Sequence, residues 1–181
     1  MAYDVYTLDG FVIDIRDSGE FDKNITFFSK DAGIVNVKAI SASKPTSKMR
    51  GFLIRFCYID IDVVHGKTGY RLIRARSFDN GFLIHKKEAY FLLCRFQKLI
   101  MMLLPEGALH SGVFNIFHNL VKHLEKNIIT DNDIGILFYK YALLVLRELG
   151  YRAHTDPNIN FQEQKREYEF ILYENGMRDV I

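Results

Sequence analysis

The hydrophobic pattern of this chain changes near residue 80. Before that point apolar and polar side chains alternate, which is typical of strands with one buried face. Turn sequences such as Asp17-Ser18-Gly19 and Asp31-Ala32-Gly33 separate the alternating runs. The predicted strands lie at residues 11–16, around Ile25 and Phe27, and at residues 34–40, 52–64 and 70–78. Five short strands with no helix between them predict a small closed barrel.

After residues 79–81 the apolar positions follow a helical period instead. The predicted helices cover residues 89–103, 113–124, 134–149 and 160–176. Asp131 is a suitable N-cap for the third helix and Gly150 a suitable end, while Asn160 and Glu163 resemble a capping box at the fourth. The predicted fold class is α+β, with a β-barrel domain in residues 1–80 and an all-α helical domain in residues 81–181.

Composition narrows the class of protein. Apolar residues make up 49% of the chain and charged residues 25%, as in ordinary globular proteins. We find neither a signal-peptide pattern nor a membrane span, since the longest apolar run is Leu99–Leu104. Cys57 and Cys94 lie far apart inside apolar segments, which favours free thiols and excludes a four-cysteine zinc site. We therefore expect a cytoplasmic protein that needs no metal and no cofactor.

Positive charge is concentrated in one segment of the chain. Residues 38–76 hold nine Lys or Arg and two acids, a net charge of +7, whereas residues 1–37 have −4 and residues 77–181 have −1. A basic stripe on a nearly neutral protein is typical of a surface that binds the phosphate backbone of nucleic acid. The alternative is a solvated sheet face that happens to be basic.

Eight of these bases are candidate phosphate contacts. They are Lys38, Lys44, Lys48, Arg50, Arg55, Arg71, Arg74 and Arg76. Strand alternation predicts that Arg74 and Arg76 share one face of the fifth strand, whereas Arg71 lies on the other face. The bases between residues 41 and 51 belong to a polar loop, which we expect to be flexible and to close over a bound backbone.

Aromatic residues interleave with these bases, and nucleobases stack on aromatic rings in single-strand binders. Phe52 and Phe56 are better explained as core residues. Tyr58 and Tyr70 fit either the core or a stacking role, because a phenol tolerates both settings.

No catalytic motif is present, so an enzyme is the least supported class. The chain contains no GxSxG, no P-loop and no HExxH sequence. His118 and His123 are five residues apart, which places them on different faces of a helix and makes them a poor metal pair. Asp60 and Asp62 share one face of a predicted strand, and a solvated outer face explains them better than acid–base chemistry.

Several stretches of the sequence resemble the RecO family of bacterial recombination mediators. In chain order they are VYTLDGFVI (5–13), RDSGEFDK (16–23), ITFFSKDAG (25–33), SKMRGFLIRF (47–56), LLPEG (103–107) and LRELGY (146–151). The second of these is similar to the family's R-x-x-G-E-x-D turn. Their order and spacing resemble the family over most of residues 3–155.

This resemblance implies an N-terminal OB-type barrel, a helical domain, and a non-catalytic mediator of DNA repair and recombination after DNA damage. It implies binding of single- and double-stranded DNA and strand annealing. It also implies loading of the RecA recombinase, together with a RecR-type mediator, on strands coated by single-stranded-DNA-binding protein. An OB-type RNA or single-strand binder without a recombination role is the alternative, and a structural interaction protein is a third.

Three departures from the family pattern limit what the resemblance implies. The family's Lys-Gly-Ala-Arg after the third strand reads Lys38-Ala39-Ile40-Ser41, so only Lys38 is carried over. Zinc-bearing members have a cysteine cluster that residues 153–161 lack. The final helices of longer members are also missing, and we expect a short, zinc-less member of the family.

The helical domain has a net charge near zero, so we expect it to bind protein rather than a second DNA strand. The resemblance implies one partner, the acidic C-terminal tail of the single-stranded-DNA-binding protein, which ends in an apolar aromatic residue. Arg95 and Lys98, three residues apart on the first helix, are the candidate contacts. The solvated side of an amphipathic helix explains them equally well.

Overall fold

The computed structural model describes residues 4–66, 69–77, 86–151 and 160–177. Lys67, the ninth base of the basic segment at residues 38–76, lies outside the described residues. The predicted end of the fifth strand at Phe78 and the predicted boundary at residues 79–81 lie outside them as well. Two compact units are present, a closed five-stranded barrel and a group of helices. The predicted fold class, an OB-type barrel followed by a helical domain, is confirmed.

The barrel strands close in the order β1-β2-β3-β5-β4. Their bounds are β1 Val5–Asp17, β2 Lys23–Ser29, β3 Gly33–Ala39, β4 Tyr58–Gly66 and β5 Gly69–Ser77. Neighbouring strands are antiparallel except β3 and β5, which run parallel. One cluster of buried aliphatic and aromatic side chains fills the interior, with Phe27 and Ile59 among its fully buried members.

Residues 40–57, here called the capping loop, connect β3 to β4 and carry apolar anchors that the predicted polar loop lacked. Ala42, Leu53 and Cys57 belong to the buried barrel core. The strand predicted from Phe52 to Val64 begins only at Tyr58. The reason is a series of hydrogen-bonded turns between residues 41 and 57, together with a left-handed backbone at Phe56 with φ of 66°.

Arg55 joins the capping loop to β1. Its guanidinium donates to the carboxylate of Asp14, which also accepts from Arg16 Nε at 2.9 Å. The Asp14 side chain is only 4% exposed. Beside this ion pair, Phe56 N–H donates to Val12 O at 2.7 Å. A buried carboxylate loses its hydration, and the two cations offset that loss for Asp14.

The described residues of the second unit form four helices. Their bounds are α1 Lys87–Leu103, α2 Ser111–Lys126, α3 Asp131–Glu148 and α4 Phe161–Glu174. Aromatic packing joins α3 to α4, with the ring centroids of Phe138 and Tyr168 5.6 Å apart. No helix in the described residues is both long and apolar enough to cross a membrane.

The helix ends are fixed by side chains. The N-cap of α3 is Thr130 rather than the predicted Asp131, because the Asp133 carboxylate accepts from both the N–H and the hydroxyl of Thr130. At α4 the prediction is confirmed, and Asn160 Oδ1 accepts from Glu163 N–H at 3.1 Å. These caps satisfy backbone groups that the first turn of each helix leaves without an intrahelical partner.

The segment Leu104–Ser111, which joins α1 to α2 and includes the first residue of α2, belongs to the barrel unit. Gly107 N–H donates to Ile34 O at 2.8 Å, and this bond holds the connection against β3. Gly33 has a φ of 67°, and a Cβ there would lie 2.2 Å from Ala108 O. Both the backbone conformation and the close approach therefore require glycine at this position.

The ion pair between Arg55 and Asp14 gives a stability prediction. Arg55→Met should lower the free energy of unfolding by about 2 kcal/mol, since Asp14 stays buried with only Arg16 beside it. Arg50→Met, on an exposed arginine of the same loop, is the control and should change stability by less than about 0.5 kcal/mol. Urea denaturation measures both variants. Equal effects would show that the ion pair does not hold the capping loop.

Candidate nucleic-acid interface

A β-bulge in β5 sets the direction of its side chains. Asp62 of β4 pairs with Arg74, and the next residue, Val63, pairs with Leu72. Ile73 is therefore an extra residue in β5, opposite no partner of its own. Ile73 is 49% exposed.

The bulge places Arg71, Arg74 and Arg76 on the outer surface of the barrel. Leu72 and Ala75 are buried in the core, and the three arginines that flank them are exposed. The prediction that Arg71 lies on the opposite face from Arg74 and Arg76 is wrong, because simple alternation does not include the extra residue. Consecutive apolar residues at Leu72 and Ile73 were the available signal of a bulge.

Two acids of β4 pair with two of these arginines. Arg74 donates to Asp62 through Nε at 2.7 Å, and Arg76 Nη2 lies 3.7 Å from the Asp60 carboxylate. Thr7 Oγ1 on β1 also donates to Asp62 at 2.8 Å. The outer face predicted to be solvated is thus an ion-paired face, with the Asp62 side chain only 8% exposed.

The pKa of Asp62 shows the strength of this pairing. Burial alone raises the pKa, but hydrogen bonds from Thr7 and Arg74, together with the charges of Arg74 and Arg76, outweigh burial and lower the pKa overall. A lowered pKa means that the ion pair stabilises the fold at neutral pH and that this stabilisation is lost as the pH falls through the acidic range. At neutral pH, Arg74 is therefore partly neutralised by the protein itself.

Other candidate bases keep their charge available. Four of them form no ion pair with an acid in the described part of the chain: Lys44, Lys48, Arg50 and Arg71. Lys44 Nζ lies 5.6 Å from the ring centroid of Phe21, and Lys38 Nζ lies 3.7 Å from the Asp22 carboxylate. The unpaired group provides the stronger positive potential for an incoming phosphate.

A groove, here called the barrel groove, runs between β5 and the capping loop. It consists of two adjoining cavities of about 730 and 580 Å³ that share Val5, Met49 and Ile73 as lining residues. The larger cavity is also lined by Ser41 and Arg71. The polar and aromatic lining of the smaller cavity consists of Lys48, Phe52, Asp62, Arg74 and Arg76.

The barrel groove unites half of the predicted phosphate contacts. Four of the eight line it: Lys48, Arg71, Arg74 and Arg76. Lys38 lies beside the groove, because its position on β3 is directly opposite Arg71 on β5 in the strand register. Lys44 and Arg50 are exposed on the capping loop outside the lining, and Arg55 is held by Asp14.

The four aromatic residues of this segment also differ in whether they face the groove. Phe56 is buried, as predicted, but Phe52 is 36% exposed and lines the groove, so its assignment to the core is wrong. Tyr58 donates to Asp9, and burial together with this hydrogen bond raises the pKa of Tyr58. Tyr70 packs edge-on against His65 with centroids 5.3 Å apart. Only Phe52 presents an exposed ring to the groove among these four aromatics.

In the helical unit, the two predicted docking residues have different settings. The guanidinium carbon of Arg95 lies 4.1 Å from the centroid of the Phe138 ring, a cation–π contact inside the unit. Lys98 is exposed. Across the described ranges, no cluster of three or more His, Cys, Asp or Glu is arranged to hold a metal ion.

The comparisons with known proteins agree with this architecture. Residues 1–80 match the family model described as Recombination protein O N terminal. The chain is 26% identical over 157 residues to DNA repair protein RecO of Pelotomaculum thermopropionicum, which covers 81% of this chain and 56% of that protein. DNA repair protein RecO of Clostridium acetobutylicum is 26% identical over 165 residues, with 91% and 66% covered.

A shorter match, to DNA repair protein RecO of Desulforamulus reducens, is 35% identical over 63 residues, or 35% of this chain and 25% of that protein. The chain spans 56% and 66% of the length of the first two relatives. Residues 1–80 thus match the N-terminal domain of the RecO family, and the chain as a whole is similar to DNA repair proteins RecO.

Proposed function

We propose that this protein is a non-catalytic, DNA-binding mediator in DNA repair and recombination. The observation that carries the proposal is the barrel groove, in which four bases of the strand-rich segment surround an apolar floor. The shared name of the relatives, DNA repair protein RecO, supports the cellular role.

Binding in the groove starts from the bases without acid partners. Lys48 on the capping loop and Arg71 on β5 lie on the rim of adjoining cavities, so one backbone can reach both. Arg74 and Arg76 follow along the same strand but are held by Asp62 and Asp60. These two arginines contribute less, because a phosphate must compete with a carboxylate that is already in place.

The family resemblance supports the rest of the proposal. It adds strand annealing and loading of the RecA recombinase, with a RecR-type mediator, on strands coated by single-stranded-DNA-binding protein. The helical unit is then the protein-docking part, with Lys98 better placed than Arg95 to contact the acidic tail, since Arg95 packs over Phe138.

An annealing assay with complementary strands tests this role. We expect the protein to accelerate annealing of bare strands and of strands coated by the cognate single-stranded-DNA-binding protein. Matched RNA strands serve as competitors, since a preference for RNA would favour the alternative of an RNA-binding protein. Binding without any annealing would contradict the mediator role.

The electrostatic site gives a salt-dependence prediction. Replacing Lys48 and Arg71 together by Ala removes two phosphate contacts. The slope of log affinity against log salt for a single strand should then become shallower by about 1.4, at about 0.7 per phosphate. The matched control changes Lys122 and Lys140, which are exposed on α2 and α3, and should leave the slope unchanged. A slope that changes only in the control would show that the phosphate-binding site lies on the helices instead.

The ion pair of Asp62 predicts a gain of affinity. Asp62→Asn keeps the side-chain shape and an acceptor for Thr7 and Arg74 but removes the negative charge. DNA affinity at low salt should rise about fivefold, since a unit charge at about 4 Å in water is worth about 1 kcal/mol. Fluorescence anisotropy measures the affinity. The control Asp17→Asn makes the same charge change on a side chain that is 79% exposed and does not line the groove. An equal rise in both variants, or a fall in Asp62→Asn with the fold intact, would contradict the account.

A further inference from the structure

The floor of the barrel groove is apolar, and phosphate binding does not use it. Val5 is 57% exposed, Ile73 is 49% exposed and Phe52 is 36% exposed, although all three line one groove. Met49 lies between the cavities and is half-buried. A concentration of exposed apolar side chains in one concave site is typical of a surface that binds an apolar part of a ligand.

The bulge at Ile73 strengthens this interpretation. Counted back from the exposed Arg76 and Arg74, regular alternation would turn Ile73 toward the barrel core, and the extra residue instead leaves it at the surface. Its neighbours on the same strand, Leu72 and Ala75, fill the core without it. The distortion therefore provides an apolar contact in the groove between two exposed arginines.

The chemistry of the groove restricts the ligand. Its rim carries the cations Lys48, Arg71, Arg74 and Arg76, and its floor is apolar with one exposed aromatic ring. A ligand that matches both parts has anionic groups and a flat apolar face within a short distance of each other. A nucleotide of a single strand has this character, whereas a duplex keeps the faces of its bases stacked inside.

We propose that the barrel groove holds an unstacked nucleobase of a single strand, which stacks on Phe52 and contacts Ile73. Lys48 and Arg71 bind the flanking phosphates. This inference rests on the proposed function, because it names the part of the nucleic acid that the same groove receives. Its consequence is that affinity for a single strand depends on bases as well as on phosphates, without a strong sequence preference.

Fluorescence anisotropy with three labelled probes tests the inference. The probes are an oligothymidylate strand, an abasic strand with the same number of phosphates, and a duplex of the same length. Wild-type protein should bind the thymidylate strand about tenfold more tightly than the abasic strand, as expected for one stacked base.

The variants assign this difference to residues. Phe52→Ala and Ile73→Ala should each remove most of the tenfold difference and leave the affinities for the abasic strand and the duplex unchanged. Ile128→Ala, at a residue between α2 and α3 that is 92% exposed, is the matched control and should retain the difference. The unchanged abasic affinity shows that each variant is folded.

Each other outcome has a separate meaning. Equal wild-type affinity for the thymidylate and abasic strands overturns the base-binding inference and leaves DNA binding by the groove intact. A wild-type difference that persists in both variants also overturns it, because the base then binds elsewhere. Failure to bind any of the three probes contradicts the proposed function itself.

Discussion

The extra residue in β5, Ile73, changes the phase of side chains between the buried Leu72 and Ala75. Because of this one bulge, Arg71 shares the outer surface with Arg74 and Arg76 instead of pointing the other way. The packing of the barrel core depends on the same bulge, since Leu72 and Ala75 are three residues apart and both face the interior only because Ile73 is inserted between them. A local irregularity in one strand thus determines both the packing of the barrel and the charge of its groove.

Acidic residues of the barrel reduce the positive charge that is available to bind phosphate. Asp14, Asp60 and Asp62 each pair with an arginine and Asp22 pairs with Lys38, so four of the eight candidate bases are engaged by acids. These ion pairs stabilise the capping loop and the β4–β5 face, and they lower the local potential. The bases that remain without acid partners lie along the groove and on the surface of the capping loop. The positive potential is therefore concentrated there rather than spread evenly over the barrel.

The sequence predicted the architecture well, because periodicity depends on burial, and the barrel and helices bury their apolar faces as the pattern requires. It also located the basic segment. It did not predict the ion pairs, since the pairing of Asp62 with Arg74 depends on the register between two strands. It placed Phe52 in the core because hydrophobicity alone does not reveal the turns that leave this ring exposed. The prediction that β4 starts at Phe52 was wrong for the same reason, because the alternating pattern does not reveal the left-handed backbone at Phe56.

Lysine footprinting tests the central claim, that the barrel groove and its rim bind the single strand. Lysines would be acetylated in the free protein and in the DNA complex, and the modified positions read by mass spectrometry. The account predicts strong protection of Lys48 and weaker protection of Lys38, with Lys122, Lys126 and Lys140 on the helices remaining reactive. Protection of the helical lysines with Lys48 still reactive would contradict it.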